Sequence, residues 1–150
     1  GKDRLAAVVG ANYLRPGKNL VVIDAGTAIA YEVIEAPGIF LGGNISPGMT
    51  TRFRALNHFT KKLPLVTEED DIPLIGRRTE TAIQAGVVNR IVYEMDGYID
   101  ELKVKYPDLL VFLTGSHSFY FERRLKNCIF ADINLLLTGL NRILDYNVAD

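Results

Sequence analysis

The stretch Asn19–Gly48 most constrains the fold of this 150-residue chain, because it places three apolar segments around short glycine-containing turns. The first segment ends at Asp24 and a Gly-Thr turn, and a segment of alternating polarity leaves from Ile29. This pattern predicts a β-hairpin with a turn of small residues. A third extended segment, Ile39–Leu41, runs into Gly42-Gly43, which predicts a second glycine-lined turn at a strand end.

Turns of this kind suit the binding of a phosphate group. Glycine lets backbone N–H groups approach an oxyanion, the hydroxyl of Thr27 adds a donor, and Asp24 can hold a cation or a water beside the phosphates. The alternative interpretation is that the glycines serve only the turns and that Asp24 bonds to the backbone. The stretch by itself leaves both interpretations open, because short motifs often occur by chance.

Length and charge limit the class of protein. A chain of 150 residues, 48% of them hydrophobic, can bury one core, which predicts a single domain over residues 1–150. The 17 Lys and Arg residues nearly balance the 18 Asp and Glu residues, so the charge does not indicate binding to nucleic acid. No apolar run approaches the roughly 20 residues that span a bilayer, and the amino end lacks the apolar core of a signal peptide. We therefore expect a cytoplasmic protein with no membrane or nucleic-acid partner.

Cys128 is the single cysteine of the sequence, which excludes a disulfide or a cysteine-rich zinc site within one chain. It follows a polar residue and precedes two apolar ones, so we expect it to be a small core residue. His58 lies near the end of a predicted helix and has no second His, Cys or acid at ligand spacing. We interpret it as a helix-terminal residue rather than a metal ligand.

Two helices flank the hairpin stretch. The residues Asp3–Leu14 combine helix formers with an apolar side and stop before a Pro-Gly pair, which predicts a helix. Pro47 is predicted to open a second helix, with Arg52 and Arg54 outside its buried face. The buried face of that helix is predicted to contain Met49, Phe53, Leu56 and Phe59.

A much longer helix is predicted from about Glu80 to Lys105, with Thr79 as its cap. At 1.5 Å per residue this helix would be about 40 Å long. Its apolar stripe consists of Ile83, Val87, Val88, Ile91, Val92, Met95, Ile99 and Leu102. Because the stripe exceeds what one small core covers, we expect it to bind a second copy of the chain and form a homodimer. For the first half of the helix, packing against the chain's own sheet is an equal alternative.

The remainder of the chain alternates strands and helices. A continuous apolar run predicts a buried strand at Leu109–Leu113, which ends in Thr114-Gly115-Ser116 and is followed by a helix. A short strand at Ile129–Ala131 and a closing helix from Leu135 complete the order. Three hairpin-linked strands followed by alternating elements predict an α/β fold with a mixed sheet flanked by helices. This is the order of the ribonuclease H-like lobe found in the actin-like kinase superfamily.

Several spaced motifs make the chain resemble the type III pantothenate kinases, also called Bvg accessory factor proteins. The residues that carry the resemblance are Gly1–Arg4 (G-x-D-R), Asp24–Ala28 (D-x-G-T-A), Gly42–Gly48 (G-G-x-I-x-P-G), Leu63-Pro64, Gly76–Thr79 and Ile83–Gly86. The resemblance extends from the first residue to about Tyr146. It implies one lobe of a two-lobed kinase that uses ATP to phosphorylate pantothenate at the first step of coenzyme A synthesis.

The resemblance also implies roles for individual residues. Asp3 would take the proton from the primary hydroxyl of pantothenate, and Asp24 would hold a monovalent cation, potassium or ammonium. The pantothenate site would include Gly1, Lys2, Arg4 and Thr79, the last of them across a dimer interface. ATP, accompanied by magnesium, would contact Gly26, Thr27, Gly42, Gly43 and Gly115. These roles agree with phosphoryl transfer, which needs a positioned hydroxyl, a carboxylate beside it and positive charge on the phosphates.

The sequence departs from the family pattern at three places. Ile29-Ala30 stands where threonines are usual, Thr114-Gly115-Ser116 stands where T-G-G is usual, and no D-x-G-N-T phosphate loop precedes Gly1. We therefore expect the chain to be the second lobe of a two-lobed kinase, without the first lobe, and to be inactive by itself. Two alternatives remain open. One is a non-catalytic regulatory or interaction module of the same family, and the other is a ribonuclease H-like domain without a ligand, in which Asp3 only caps a helix.

Overall fold

The structure, a computed structural model, describes residues 1–149. Its elements are α1 (Lys2–Leu14), β1 (Leu20–Ala25), β2 (Ala28–Glu35), β3 (Ile39–Pro47), α2 (Met49–Phe59), α3 (Thr79–Lys105), β4 (Leu110–Thr114), α4 (Ser118–Glu122), β5 (Phe130–Ala131) and α5 (Leu135–Ala149). All the predicted elements are present. Within the described range, no helix is both long and apolar enough to cross a membrane.

The strands form one mixed sheet in the order β3-β2-β1-β4-β5. The pairs β1–β2 and β2–β3 are antiparallel, whereas β1–β4 and β4–β5 are parallel. The predicted hairpin is confirmed, since Asp24 lies opposite Ala30 and Ala25 lies opposite Ile29, with Gly26-Thr27 in the turn. This strand order, with helices on both faces, confirms the predicted ribonuclease H-like fold.

Side-chain alternation along the strands divides the core between the two faces of the sheet. One face packs on α1 and on the start of α5, through Ala7, Val8, Ala11, Leu20, Val22, Ile34, Phe112 and Leu135. The other face is covered by α2, α3 and α4, which contribute Met49, Phe53, Ile91 and Phe121 among others. The sheet therefore separates residues on α1 from residues on α3.

The apolar stripe of α3 is covered by the chain itself. Ile91, Met95 and Ile99 have no exposed surface, and Ile83 is only 6% exposed. Val92 and Leu102 are half-buried against the same core. The prediction that this stripe binds a second copy is therefore wrong, and the alternative of packing against the chain's own sheet holds for the whole stripe. Burying each of these large side chains stabilises the fold by about 1.5–3 kcal/mol.

The amino end of α3 is capped differently from the prediction. Arg78 is the N-cap residue and Thr79 is the first helical residue, so the prediction of Thr79 as the cap is wrong. The hydroxyl of Thr81 accepts hydrogen bonds from the N–H groups of Arg78 (3.1 Å) and Arg77 (3.2 Å). Thr81 therefore satisfies the backbone donors that precede the helix. Similarly, α2 begins at Met49 after the N-cap Gly48, and not at Pro47.

Two expectations about surface and core are wrong. Phe59 ends α2 with 82% of its surface exposed, and Cys128 is exposed rather than a core residue. Arg52 lies outside the buried residues of α2, as predicted, and forms an ion pair of 2.8 Å with Glu94 of α3. These positions depend on how neighbouring elements cover one another, which a helical period does not specify.

The strand β3 is longer than predicted, because it continues through Gly42-Gly43 instead of turning there. Gly42 lies opposite Val33 and Gly43 lies opposite Glu32, and a register shift follows between Val33 and Ile34. The prediction of a glycine-lined turn at this strand end is wrong. The glycines instead belong to an edge strand with an irregular register.

Candidate functional site

The predicted site residues Asp3 and Asp24 lie at one end of the sheet. Asp24 is opposite Thr114 in the parallel pair of β1 and β4, so the turns that follow these two strands are neighbours. Ligands of open α/β sheets bind at the carboxyl ends of parallel strands. Asp3 lies in the first turn of α1 and is close enough to Asp24 to affect its ionisation. The structure therefore brings the two predicted acidic site residues together.

Asp24 is half-buried, and its environment disfavours the ionised carboxylate. Burial is the main cause that raises the pKa of Asp24, and the negative charge of Asp3 raises this pKa further. Both effects act against a second negative charge at the same place. A cation bound beside Asp24 would oppose both effects, so the pair of carboxylates suits a site that holds a cation.

Gly115 allows the turn after β4 to lie directly against the turn after β1. Its φ is +99°, in the left-handed region that favours glycine. A Cβ at this position would lie 2.5 Å from Oδ1 of Asp24 and 2.7 Å from the backbone of Ala25. The contact is completed by the N–H of His117, which donates to the carbonyl of Ala25 at 3.0 Å. A larger residue at position 115 would displace the Asp24 carboxylate.

A cavity of about 400 Å³ opens beside these two turns. Its lining residues are Asp24, Thr114, Gly115, Ser116, Phe119, Ile133 and Leu136. The end formed by the β1 and β4 turns is polar, and the wall formed by α4 and the start of α5 is apolar. This combination suits a ligand that has a charged part and a flat apolar part.

The Gly26-Thr27 turn is held in place by α2. The carbonyl of Thr27 accepts hydrogen bonds from the N–H of Gly48 (2.9 Å) and from the hydroxyl of Thr51 (2.8 Å). The side chain of Thr27 is exposed. The turn is therefore fixed through its backbone, while the predicted nucleotide-binding hydroxyl faces solvent.

Arg4 forms a two-point ion pair with Glu32, a residue that we did not predict as part of the site. Its Nε donates to Oε1 of Glu32, and its Nη2 donates to Oε2 at 3.0 Å. Glu32 is only 1% exposed. The hydrogen bond and the charge of Glu32 raise the pKa of Arg4. The alternating pattern of β2 gave no signal for this pair, because a charged residue in a strand usually faces solvent.

Gly43 provides the space that Glu32 occupies. A Cβ at position 43 would lie 2.7 Å from Oε2 of Glu32 and 1.7 Å from the carbonyl oxygen of Tyr31. Gly42 and Gly43 line a different cavity from Asp24, beside Tyr98 of α3. The structure thus separates these two glycines from the Asp24 cavity and gives Gly43 a packing role next to Glu32.

A second polar cluster, also unpredicted, lies on the opposite face of the sheet. One carboxylate oxygen of Glu94 accepts from the hydroxyl of Ser46 (2.8 Å) and from Nη2 of Arg52 (2.8 Å), and the other accepts from Tyr31 (2.5 Å). Burial and the neighbouring Glu94 carboxylate raise the pKa of Tyr31. This cluster links β2, β3, α2 and α3, and so supports the segment that holds the Thr27 turn.

The remaining predicted site residues divide into two groups. Gly1 and Lys2 are exposed at the start of α1, beside Asp3. Thr79 is exposed at the start of α3, on the other side of the sheet. Within one chain, the structure therefore groups the G-x-D-R residues with Asp24 and leaves Thr79 outside this group.

Two of the departures from the family pattern acquire a structural meaning. Ile29 has no exposed surface and belongs to the core on the α3 face, so its side chain does not face the Asp24 cavity. Ser116 is exposed on the rim of that cavity. The departure at position 29 thus affects core packing, whereas the one at position 116 changes a residue that lines the Asp24 cavity.

The potential ligands for a metal ion are few. Among residues 1–149, no group of three or more His, Cys, Asp or Glu side chains is placed to hold one. Asp24 supplies one carboxylate at the cavity, with Asp3 nearby. Hard cations prefer such oxygen ligands.

The fold and this arrangement define the class of protein. A sheet in the order β3-β2-β1-β4-β5, with an acidic residue and glycine turns at the ends of its parallel strands, is the ribonuclease H-like lobe of the actin-like ATPase fold. A Baf family transcriptional activator from Campylobacter jejuni, whose crystal structure is known, shares this fold. It superposes with a TM-score of 0.69 at 25% identity, over 100% of this chain and 66% of that chain.

Sequence comparison is more specific. The type III pantothenate kinase family matches residues 1–101. A type III pantothenate kinase from Phocaeicola vulgatus is 58% identical over 147 residues, which cover 98% of this chain and 61% of the relative. One from Bacteroides fragilis is 56% identical, with 98% and 60% covered. The chain belongs to the type III pantothenate kinase family, and it spans about three fifths of the length of these curated relatives.

Proposed function

We propose that the protein that contains this chain transfers a phosphoryl group from ATP to the primary hydroxyl of pantothenate, at the first step of coenzyme A biosynthesis. Family membership supports the substrates. The observation that carries the proposal is the Asp24 carboxylate, which lines the 400 Å³ cavity and is near enough to Asp3 for the charge of Asp3 to help raise its pKa. Such an arrangement suits phosphoryl transfer, in which a carboxylate can take up the hydroxyl proton while a cation offsets the negative charge.

In this proposal Asp3 accepts the proton from the pantothenate hydroxyl. Asp3 is exposed at the start of α1, so its carboxylate is accessible to a substrate. Lys2 and Arg4, with the Gly1 backbone, bind pantothenate. The nucleotide lies in the cavity next to Asp24, with its phosphates near Gly26, Thr27 and Gly115 and its base against the apolar wall. Gly42 and Gly43 line a different cavity, where Gly43 gives Glu32 its space, so the proposal assigns these two glycines no contact with the nucleotide.

ATP is the phosphoryl donor, and magnesium accompanies its phosphates. Asp24 holds a monovalent cation, potassium or ammonium, which supplies positive charge next to the phosphates. The raised pKa of Asp24 supports this role, because a carboxylate in that position gains from a neighbouring cation. Since ATP is an intracellular metabolite, we expect the reaction to take place in the cytoplasm.

A complete site requires parts that one copy of this chain does not bring together. The curated relatives are longer, and we propose that a first lobe supplies the loop that holds the transferred phosphate, so that residues 1–150 alone do not turn over. Thr79 is proposed to complete the pantothenate pocket of a second copy in a homodimer. Support comes from its position on the far side of the sheet and from the neighbouring Leu74 and Ile75, each 75% exposed. Exposed apolar side chains of this kind favour an interface.

The proposal is tested by Asp3→Asn in the full-length protein. The amide keeps the shape of the carboxylate but cannot accept the proton, so we expect kcat to fall by roughly 100-fold or more while ATP affinity stays within about twofold. Steady-state phosphorylation of pantothenate and nucleotide titration measure the two quantities. The matched control is Asp145→Asn, which changes an exposed carboxylate on α5 and should leave both quantities unchanged.

The outcome separates catalysis from stabilisation of α1. Gly1 is the N-cap of α1 and Asp3 lies in its first turn, so the alternative in which Asp3 caps the helix is wrong, and a purely structural role would be that of a negative charge at the helix start. A residue with only that role would leave turnover unchanged in Asp3→Asn and lower the melting temperature slightly. A regulatory module without catalysis is the second candidate, in line with the C. jejuni relative described as a transcriptional activator. Absence of pantothenate phosphorylation by the unmodified full-length protein would support that candidate.

A further inference from the structure

The ion pair between Arg4 and Glu32 has a geometry that bears on substrate recognition. A guanidinium has five N–H donors, arranged along two edges. Glu32 accepts from Nε and Nη2 of Arg4, which occupies one edge. The Arg4 side chain is 34% exposed while that of Glu32 is 2% exposed, so Arg4 is the partner of this pair that a ligand can reach. Its second edge, formed by Nη1 and the other N–H of Nη2, can bind a carboxylate through two hydrogen bonds.

Through Arg4, Glu32 also affects the position of Asp3. Asp3 and Arg4 are consecutive residues in the first turn of α1, and the N-cap Gly1 offers no side-chain hydrogen bond to that turn. Among residues 1–5, the side-chain hydrogen bonds that the structure describes are the two from Arg4 to Glu32. This pair is therefore the polar link between the first turn of α1 and the sheet.

The surroundings of Glu32 indicate a site shaped for this carboxylate. It is buried in the middle of β2, where Gly43 of the adjacent strand leaves the space it needs. Burial is the main cause that raises the pKa of Tyr98, and the negative charge of Glu32 contributes to it, so Tyr98 lies near Glu32 while Arg4 is the cation paired with it. A buried carboxylate is costly unless it is paired, and Arg4 provides the pairing.

From these observations we propose that Glu32 is a positioning residue for substrate binding, through the contact of its buried carboxylate with one edge of the Arg4 guanidinium next to Asp3. It holds Arg4 so that the free edge binds the carboxylate of the substrate, and it fixes the turn that carries Asp3. This role rests on the proposed function. It adds that Glu32 sets the specificity of the substrate site for an alcohol that carries a carboxylate.

The test is Glu32→Gln in the full-length protein, with KM measured separately for pantothenate and for ATP. Loss of the charge should let Arg4 rotate towards solvent, so we expect KM for pantothenate to rise by roughly 10-fold or more, while KM for ATP stays within about twofold. Glu32→Asp keeps the charge and should restore part of the loss. The matched control is Glu94→Gln, which removes a carboxylate with several partners on the other face of the sheet and should lower the melting temperature without a selective change in KM for pantothenate.

A double-mutant cycle distinguishes positioning from a general effect on the fold. If Glu32 acts through Arg4, then Glu32→Gln should cause no further rise in KM for pantothenate once Arg4 has been changed to Ala. Additive effects of the two changes, or an equal rise of KM for both substrates, would overturn the role of Glu32. Should Glu32→Gln fail to fold, Glu32→Asp is used in the same cycle with the same two outcomes. Absence of turnover by the unmodified protein would instead overturn the proposed function itself.

Discussion

At the residue scale, the site depends on a few contacts between residues far apart in sequence. Asp24 is followed by its glycine turn in the sequence, but the proximity of Asp3 and the close approach of Gly115 come from packing. Together they place a half-buried carboxylate where its charge is disfavoured. Such perturbed groups are common at functional sites, since binding a cation or substrate compensates for the unfavourable charge.

The raised pKa of Asp24 has a consequence for stability that Asp24→Asn tests. Because the folded state holds the proton more tightly, this group stabilises the fold at low pH, and that contribution is lost as the pH rises through the folded-state pKa. Above that pH the buried, repelled carboxylate opposes folding. We therefore expect Asp24→Asn to melt at a higher temperature than the unmodified protein at pH 7, by roughly 2–4 °C for each kcal/mol in a chain of this size.

Thermal melts between pH 3.5 and 8, in buffer without potassium or ammonium, measure this effect. The difference between the two proteins should shrink as the pH falls through the folded-state pKa of Asp24, and it should be smallest below the unfolded-state value of about 3.9, where Asp24 is mostly protonated in both states. Adding potassium should raise the melting temperature of the unmodified protein and not that of the variant. A variant that is less stable at pH 7 would show instead that the Asp24 carboxylate stabilises the turn by bonding to the backbone.

At the scale of elements, α3 was predicted correctly as a helix, but the surface against which it packs was predicted wrongly. The apolar period predicted a helix over most of Thr79–Lys105, and the structure has one. Its stripe, however, packs on β1, β2 and β4 and on α2 and α4 of the same chain, so the stripe is not free to bind a partner. Exposed apolar residues lie outside the stripe, for instance Val104 on the same helix and Leu74 and Ile75 in the segment before it.

We expect Ile91→Ala to destabilise the fold by about 2–5 kcal/mol without changing the oligomeric state, because Ile91 is fully buried and its truncation leaves a cavity. Urea unfolding and light scattering measure the two properties. Val104→Ala is the control on the same helix, since Val104 is 85% exposed and should cost little. A lower mass of Ile91→Ala with an unchanged unfolding midpoint would contradict this assignment and restore α3 as an interface.

At the scale of the whole molecule, the residues proposed for pantothenate binding lie on both sides of the sheet. Asp3 and Arg4 are on the α1 side, and Thr79 is on the α3 side. A shared site between two copies is the simplest way to combine them. In a two-fold assembly each copy would then supply Asp3 to one site and Thr79 to the other.

Mixing two inactive variants tests this shared site. In the full-length protein, Asp3→Asn and Thr79→Ala should each lose activity, and an equal mixture that has exchanged subunits should recover about a quarter of the normal activity, because half of the dimers are mixed and each contains one intact site. Pantothenate phosphorylation before and after subunit exchange provides the measurement. If each site were built within one copy, the mixture would recover no activity. As a control, two separately prepared batches of Asp3→Asn are mixed in the same way, and this mixture should also recover no activity.

Local patterns in the sequence were sufficient for much of this protein. The alternation of β2, the continuous apolar run of β4 and the period of α3 predicted the elements and the mixed sheet, because each pattern arises from geometry within a few residues. The motif around Asp24 likewise identified the turn at which the cavity opens. These features need no knowledge of what lies across the fold.

Only the tertiary structure decided which surfaces are covered and which charges meet. The sheet proved wide enough for the whole α3 stripe, β3 continued through Gly42-Gly43, and Cys128 stayed at the surface. Above all, the burial of Glu32 depends on Arg4, 28 positions earlier, and on the missing side chain of Gly43 in the neighbouring strand. A buried ion pair is stable only when distant residues supply both its partner and its space, and no local pattern of polarity contains that information.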